Sequence, residues 1–313
     1  MFYLGLDIGG TKCAASVGKV SYGNIHIVER KEVLTTTKPF ETMGLLDKYV
    51  QVYLKKYSIR SVGISCGGPL DSKEGVILCP PNLPGWENFP IVEYIKNTYG
   101  LQARLENDAN ACAIAEWKFG AGKGKSSVVF LTFGTGLGAG LILDGKLYSG
   151  TNGNAGEVGH IRLAKKGPIG FGKVGSFEGF CSGGGITRLA EMMGKRRKET
   201  PQCIVNMGGY EKITTKELAQ AAFAGDKFAK QVFEKSGKML GKGLSILIDL
   251  LNPERIILGG VFMRSTTLLI SSMQKEIQEE ALLDSAKVCE IVPAQLKENI
   301  GDIAAVSVAI VDN

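Results

Sequence analysis

Three short segments of this 313-residue chain carry residue types whose spacing could do phosphoryl chemistry. Asp7-Ile8-Gly9-Gly10-Thr11-Lys12 sets a carboxylate ahead of two glycines. Glycines at a turn remove side-chain bulk, so backbone N–H groups can close on a phosphate. The aspartate can hold a magnesium ion directly or through water. Taken alone, the segment fits an ordinary Gly-Gly turn with a solvent-exposed aspartate equally well. A second stretch, Thr132-Phe133-Gly134-Thr135-Gly136-Leu137-Gly138, looks like a dinucleotide fingerprint only superficially. Its glycines alternate, and an apolar strand follows where that fingerprint needs a helix. GAGKGKS at 120–126 approaches a Walker A loop, but its glycines are wrongly spaced and no buried strand leads into it. Two glycine turns of one design imply two phosphate cradles facing each other. The third segment, Glu106-Asn107-Asp108-Ala109-Asn110-Ala111, puts Asp108 at a strand end before a helix. There it can accept a hydroxyl proton, as phosphoryl transfer needs. Helix capping by Asp108 or Asn107 accounts for the same residues.

These segments need elements to position them. Residues 2–7 and 13–17 read as strands of a hairpin with its tip at 9–12, and 25–34 as a third strand. A helix fits 40–56, with Met43, Leu46, Val50, Tyr53 and Leu54 at helical spacing. A strand at 62–66 ends in Gly67-Gly68-Pro69, and the proline-rich stretch 79–90 reads as an ordered loop. A strand at 101–106 leads into an alanine-rich helix at 109–119. Strands at 127–133 and 137–143 form a second hairpin around Gly134-Thr135-Gly136. Residues 150–185 are glycine-rich and hold most of the remaining polar candidates. Helices are expected at 214–223, 228–251, 266–282 and 300–311, with strands at 255–258 and 288–292. The pattern predicts two related α/β domains, 1–109 and 110–293, with the last helix (294–313) packing back on the first.

The chain is long enough to bury a large core. A net charge of +6 suits a negatively charged ligand such as a nucleotide but is too diffuse to argue for nucleic acid. The cluster Lys195-Arg196-Arg197-Lys198 reads as a solvated helix end. MFYLGLDIGG does not look like a signal peptide, and no apolar run is long enough to span a bilayer. Seven scattered cysteines, none in C-x-x-C spacing, read as buried thiols of a reducing compartment, so a cytoplasmic protein is expected.

In order along the chain, the motifs resemble the ROK family (repressors, open reading frames, kinases) of sugar kinases. They are LGLDIGGTK at 4–12, GGPLD at 67–71, PNLPGW at 81–86, ENDANA at 106–111, FGTGLGAGLI at 133–142, GNAGEVGHI at 153–161, FEGFCSGG at 177–184 and LNPERIILGG at 251–260. The resemblance implies two actin-like ATPase (ribonuclease H-like) domains with an inter-domain cleft, and ATP-dependent phosphorylation of a sugar. It implies that Asp7, Gly9, Gly10, Thr11 and Lys12, with Thr132, Gly134, Thr135 and Gly136, cradle the ATP phosphates. Asp7 would lie by magnesium, and Gly259 and Gly260 by the adenosine. Asp108 would be the catalytic base, and Gly68, Asn107, Asp108, Glu157, His160 and Glu178 would hold the sugar hydroxyls. Carboxylates, an amide and an imidazole suit a ring of hydroxyls on their own chemistry. A hexose or N-acetylhexosamine phosphorylated at O6, glucose first, is the expected substrate, and a homodimer the expected assembly. Relatives often hold zinc through the EVGH histidine and three cysteines just before the second glutamate. Here Ile169 to Ser176 has no cysteine, so no structural zinc is expected. Repressors of the family carry a helix-turn-helix before the first hairpin, which here starts at residue 2. A kinase is therefore expected, with a catalytically silent sugar sensor as the alternative and neither nucleic acid nor membrane as a partner.

Overall fold

The structure, a computed structural model, describes residues 1–297 and 300–310. It is α/β with mixed sheets and divides into two compact units. One comprises Met1–Ser126, Gly140–Ala155 and the chain from Gln295; the other comprises Ser127–Ala139 and Gly156–Ala294.

In the first unit, β1 (Phe2–Ile8) is almost continuously buried, as a strand covered on both faces should be. It pairs antiparallel with β2 (Lys12–Ser21), which pairs antiparallel with β3 (Asn24–Leu34). Helix α1 (Pro39–Lys56) follows, its Met43, Leu46, Val50 and Tyr53 buried in one core with Leu4, Leu6 and Ile64. Strand β4 (Ile59–Cys66) pairs parallel with β1. The loop beyond holds two short strands, β5 (Leu70–Asp71) and β6 (Val76–Ile77), and then α2 (Ile91–Tyr99). Strand β7 (Ala103–Asn107) pairs parallel with β4 and runs straight into α3 (Asp108–Phe119). The sheet order is β3-β2-β1-β4-β7.

In the chain's next stretch come β8 (Val128–Leu131), β9 (Ala139–Leu143) and the two-residue β10 (Lys146–Leu147). A 3-10 turn at Val158–His160 precedes a small hairpin of β11 (Ile169–Gly170) and β12 (Lys173–Val174). Its two-residue turn has φ of 44° at Phe171 and 73° at Gly172. The glycine-rich stretch 150–185 then contains α4 (Phe177–Phe180) and the start of α5 (Gly183–Gly194). Serines start both: Ser176 Oγ accepts from Gly179 N at 3.1 Å, and Ser182 Oγ from Gly185 N at 2.9 Å.

Helices α6 (Gln202–Asn206), α7 (Thr215–Phe223) and α8 (Lys227–Leu251) lead to β13 (Arg255–Leu258). Helix α9 (Val261–Glu280) starts five residues before the expected 266, because the chain turns helical directly after Gly260 and tolerates a non-helical Ser265. Helix α10 (Leu283–Val288) and β14 (Glu290–Pro293) follow. Strands β8, β13 and β14 are mutually parallel.

The chain finally enters α11 (Ile300–Val308), which lies on β1 and β4. That close approach needs glycine: a β-carbon at Gly63 would sit 2.0 Å from Ala305 O, and one at Gly5 2.7 Å from Val306 N. Among the described residues no helix is long and apolar enough to cross a membrane. Cys13, Cys66, Cys181 and Cys203 are buried thiols, whereas Cys79 is exposed.

Candidate active site

The parallel registers level the strand ends of the first unit. Asp7 lies opposite Ser65, and Ser65 opposite Glu106; Ile8 lies opposite Cys66, and Cys66 opposite Asn107. Asp7, Gly68, Asn107 and Asp108 therefore gather at the carboxyl ends of β1, β4 and β7, where open α/β sheets bind ligands. The turn from Gly9 to Lys12 is closed by Gly9 N donating to Lys12 O at 3.2 Å. Thr35 pins it twice, its Oγ1 donating to Gly9 O at 2.6 Å and its N to Thr11 O at 3.0 Å. Gly10 backs onto the loop at Asn82, whose carbonyl oxygen would be 2.4 Å from a β-carbon there. Lys12 Nζ at the tip pairs with Glu32.

Asp7 has a pKa pushed up to about 6, first by burial and then by the carboxylates of Asp302 and Asp108, with Arg30 opposing. Asp302 accepts from Ser16 Oγ at 2.6 Å and from Arg30 Nε at 2.9 Å. Asp108 is accessible to solvent, yet enough protein surrounds its carboxylate that desolvation raises its pKa, opposed by a bond from Ala109 N. A base raised this way holds a proton more readily once it accepts one. Asn107 does cap α3, its Oδ1 accepting from Ala109 N at 2.9 Å, and its Nδ2 lies beside Gly68. Behind them, buried Glu106 uses one oxygen, Oε1, for Asn107 N at 3.0 Å, Asn110 Nδ2 at 2.9 Å and Ser72 Oγ at 3.3 Å.

The second unit builds its own cluster. Thr132 N donates to Gly138 O and Gly138 N to Thr132 Oγ1, both at 3.0 Å, while Gly134 N closes on Gly136 O at 3.0 Å. Gly259 N donates to Leu131 O at 2.9 Å and Val261 N to Phe133 O at 2.7 Å, so Gly259 and Gly260 lie against this turn. Gly260 has a φ of 57°, and a β-carbon on it would meet Phe133 O at 2.0 Å. Glu157 and His160 are exposed at the 3-10 turn, where Gly159 packs on Leu137 O and on Glu178 Cβ. Glu178 Oε2 accepts from Leu137 N at 3.1 Å. The turn at 132–138, Gly259-Gly260, Glu157, His160 and Glu178 are thus brought together within this unit.

The sequence matches the profile of the ROK family over residues 3–311. The chain belongs to that family. It is 32% identical to a glucokinase of Streptomyces coelicolor, covering 98% of this chain and 96% of that one. It is 27% identical to a xylose repressor of Caldicellulosiruptor bescii, covering 99% of this chain and 77% of the repressor. Its fold resembles a ROK family glucokinase from Streptomyces griseus solved with glucose and AMPPNP, with a TM-score of 0.78, 30% identity and 99% of each chain covered. The expected actin-like ATPase fold class agrees with that likeness.

For a ROK chain two metals come into question. Magnesium takes one or two carboxylates and fills its remaining positions with water and phosphate oxygens. Asp7, whose negative charge is held at a cost among other carboxylates, fits it. Structural zinc needs about four N, O or S ligands. The stretch Ile169–Ser176 ahead of Glu178 carries no cysteine, so it offers zinc no thiolate beside His160. The loop there is held by backbone and packing instead. Ser176 Oγ donates to Gly170 O at 3.3 Å, Gly175 N to Pro168 O at 2.9 Å, and Phe177 is fully buried against Gly243. Phe171 is 81% exposed and meets the His160 ring edge-on, with ring centroids 6.3 Å apart.

Sequence reasoning passed over Asp302, Arg30, Glu106 and Asn82. Glu106 adjoins Asn107 and Asn82 sits in PNLPGW, so a signal existed for both. Asp302 comes nearly three hundred residues after Asp7, and nothing local marks it.

Proposed function

We propose that this chain is an ATP-dependent sugar kinase that passes the γ-phosphate to a hydroxyl of a hexose or N-acetylhexosamine, O6 of glucose being the first candidate. The observation that carries the reading is the convergence of Asp7, Gly68, Asn107 and Asp108 at the level ends of β1, β4 and β7 beside a glycine turn. In this reading residues 1–109 with 294–313 form a sugar- and phosphate-binding domain, and 110–293 form the ATP-binding and dimerisation domain that also supplies Glu157, His160 and Glu178 for the sugar. Gly68, Asn107, Glu157, His160 and Glu178 hold the sugar hydroxyls. Asp108 takes the hydroxyl proton as the oxygen attacks. Amides of the turns at 9–12 and 132–136 draw charge from the transferring phosphoryl group. Asp7 would hold magnesium, which supplies charge neutralisation on the phosphates when bound. The protein works in the cytoplasm as a homodimer and needs no structural zinc.

The likeness to xylose repressors favours a second reading, a sugar sensor without turnover. ADP release measured over a panel of hexoses and N-acetylhexosamines, with Asp108→Asn alongside, separates the two. Sugar-dependent turnover that falls on the order of 10²–10⁴-fold in the variant supports the kinase. Sugar binding with no turnover on any member of the panel would sink it.

A further inference from the structure

Glu178 was singled out for the sugar, yet its carboxylate is already engaged with the other cradle. Oε2 accepts from Leu137 N, at the closing arm of the 132–138 turn. Gly136 must be glycine for this, since a β-carbon there would lie 2.9 Å from the same oxygen. The other carboxylate oxygen, Oε1, has no hydrogen-bond partner among the described residues. A second tie joins the same two segments: Gly183 N donates to Gly134 O at 2.7 Å, and Thr215 Oγ1 holds Gly183 O at 2.6 Å. The turn is therefore tied at both shoulders, Gly134 and Leu137, to the short stretch 178–183.

Resting on the kinase reading, we propose that Glu178 is a positioning residue that couples sugar binding to nucleotide binding inside the second unit. A sugar hydroxyl donating to Oε1 fixes the carboxylate, and a fixed carboxylate holds Leu137 N–H and so the turn that meets the phosphates. Bonds in series reinforce one another in a poorly hydrated setting. Ordering by the first ligand also lowers the cost for the second. By linkage the effect runs both ways: nucleotide on the turn tightens sugar on Glu178.

Calorimetric titration of AMPPNP with and without saturating glucose, and of glucose with and without AMPPNP, tests this. Wild type is expected to show at least about fivefold mutual tightening, within the usual range of allosteric coupling. Gly136→Ala pushes the flexible Glu178 carboxylate off Leu137 and should bring the factor to within about twofold of unity. Glu178→Gln has one acceptor oxygen for the two donors, Leu137 N and the sugar hydroxyl, and should lower the factor as well. A residue with a purely structural role would lower stability and leave this ratio alone. Wild-type coupling near unity, or full coupling in Gly136→Ala, overturns the proposal while the kinase reading stands. A wild type that binds AMPPNP but neither glucose nor any other sugar of the panel overturns the kinase reading, and this proposal with it.

Discussion

Gly301 stands against Asp7: a β-carbon at 301 would lie 3.0 Å from Asp7 Oδ2. The first turn of α11 thus closes over the end of β1 and brings Asp302 next to a second carboxylate. Arg30, bonded to Asp302, offsets only part of the repulsion, and Asp7 titrates near 6.

Asp7→Asn should therefore separate stability from activity. Because the folded pKa lies above the usual aspartate value, the native state takes up a proton between about pH 4 and pH 6. Stability then falls as pH rises through that window, and the penalty is complete above 6. The variant should unfold later than wild type at pH 7, by about 1–2 kcal/mol after allowance for solvent screening, and match it near pH 4. Denaturation curves across pH 4–8 check this. Magnesium-dependent turnover should be lost in the same protein.

Glu106 supports the site through one oxygen. Glu106→Ala leaves Asn110 Nδ2 and Asn107 N without their acceptor in a buried place, a loss of about 2–4 kcal/mol. Glu106→Gln keeps Oε1 and removes a charge whose pKa burial has raised, so at pH 7 it should be neutral or stabilising. Urea midpoints of the two variants decide it; equal losses would mean that the charge, and not the acceptor, is what matters.

The two variants also show what a sequence can and cannot reveal. The first hairpin, β7 and α3 were legible because glycine turns, apolar runs and alanine-rich helices are written locally. The helical character of 177–185 was hidden, since glycines mask helix propensity and the decisive signal was a pair of serine caps. The early start of α9 was hidden by its non-helical Ser265. In the candidate site the residues on strand ends were readable by type, but the bonds that hold them were not. Asp302 to Ser16 and Glu178 to Leu137 join segments far apart in the chain, and no periodicity encodes a partner at such separation.

Gly63→Ala tests the seating of α11. The added carbon would stand 2.0 Å from Ala305 O and 2.5 Å from Ala309 N, both backbone atoms that cannot rotate away. Overpacking of this kind should cost about 3 kcal/mol or more. Thermal melts should show either a large drop in Tm or no folded protein, whereas Gly44→Ala, with nothing within 4 Å of the new carbon, should be neutral or better.

Glu116 makes the last case, because a fully buried carboxylate on α3 accepts from three backbone amides. Oε2 takes Ala121 N at 2.7 Å, while Oε1 takes Gln295 N at 2.9 Å and Leu296 N at 2.8 Å. It pins the chain at Gln295 and Leu296, ahead of α11. Glu116→Ala removes the acceptor of three part-buried backbone donors and should cost about 2–4 kcal/mol. Glu116→Gln can accept through only one of its two ends and should lose about half of that. Hydrogen exchange at the amides of 295 and 296 should speed up in step with the loss of stability. Unchanged exchange there would show that α11 is seated by its glycine contacts alone.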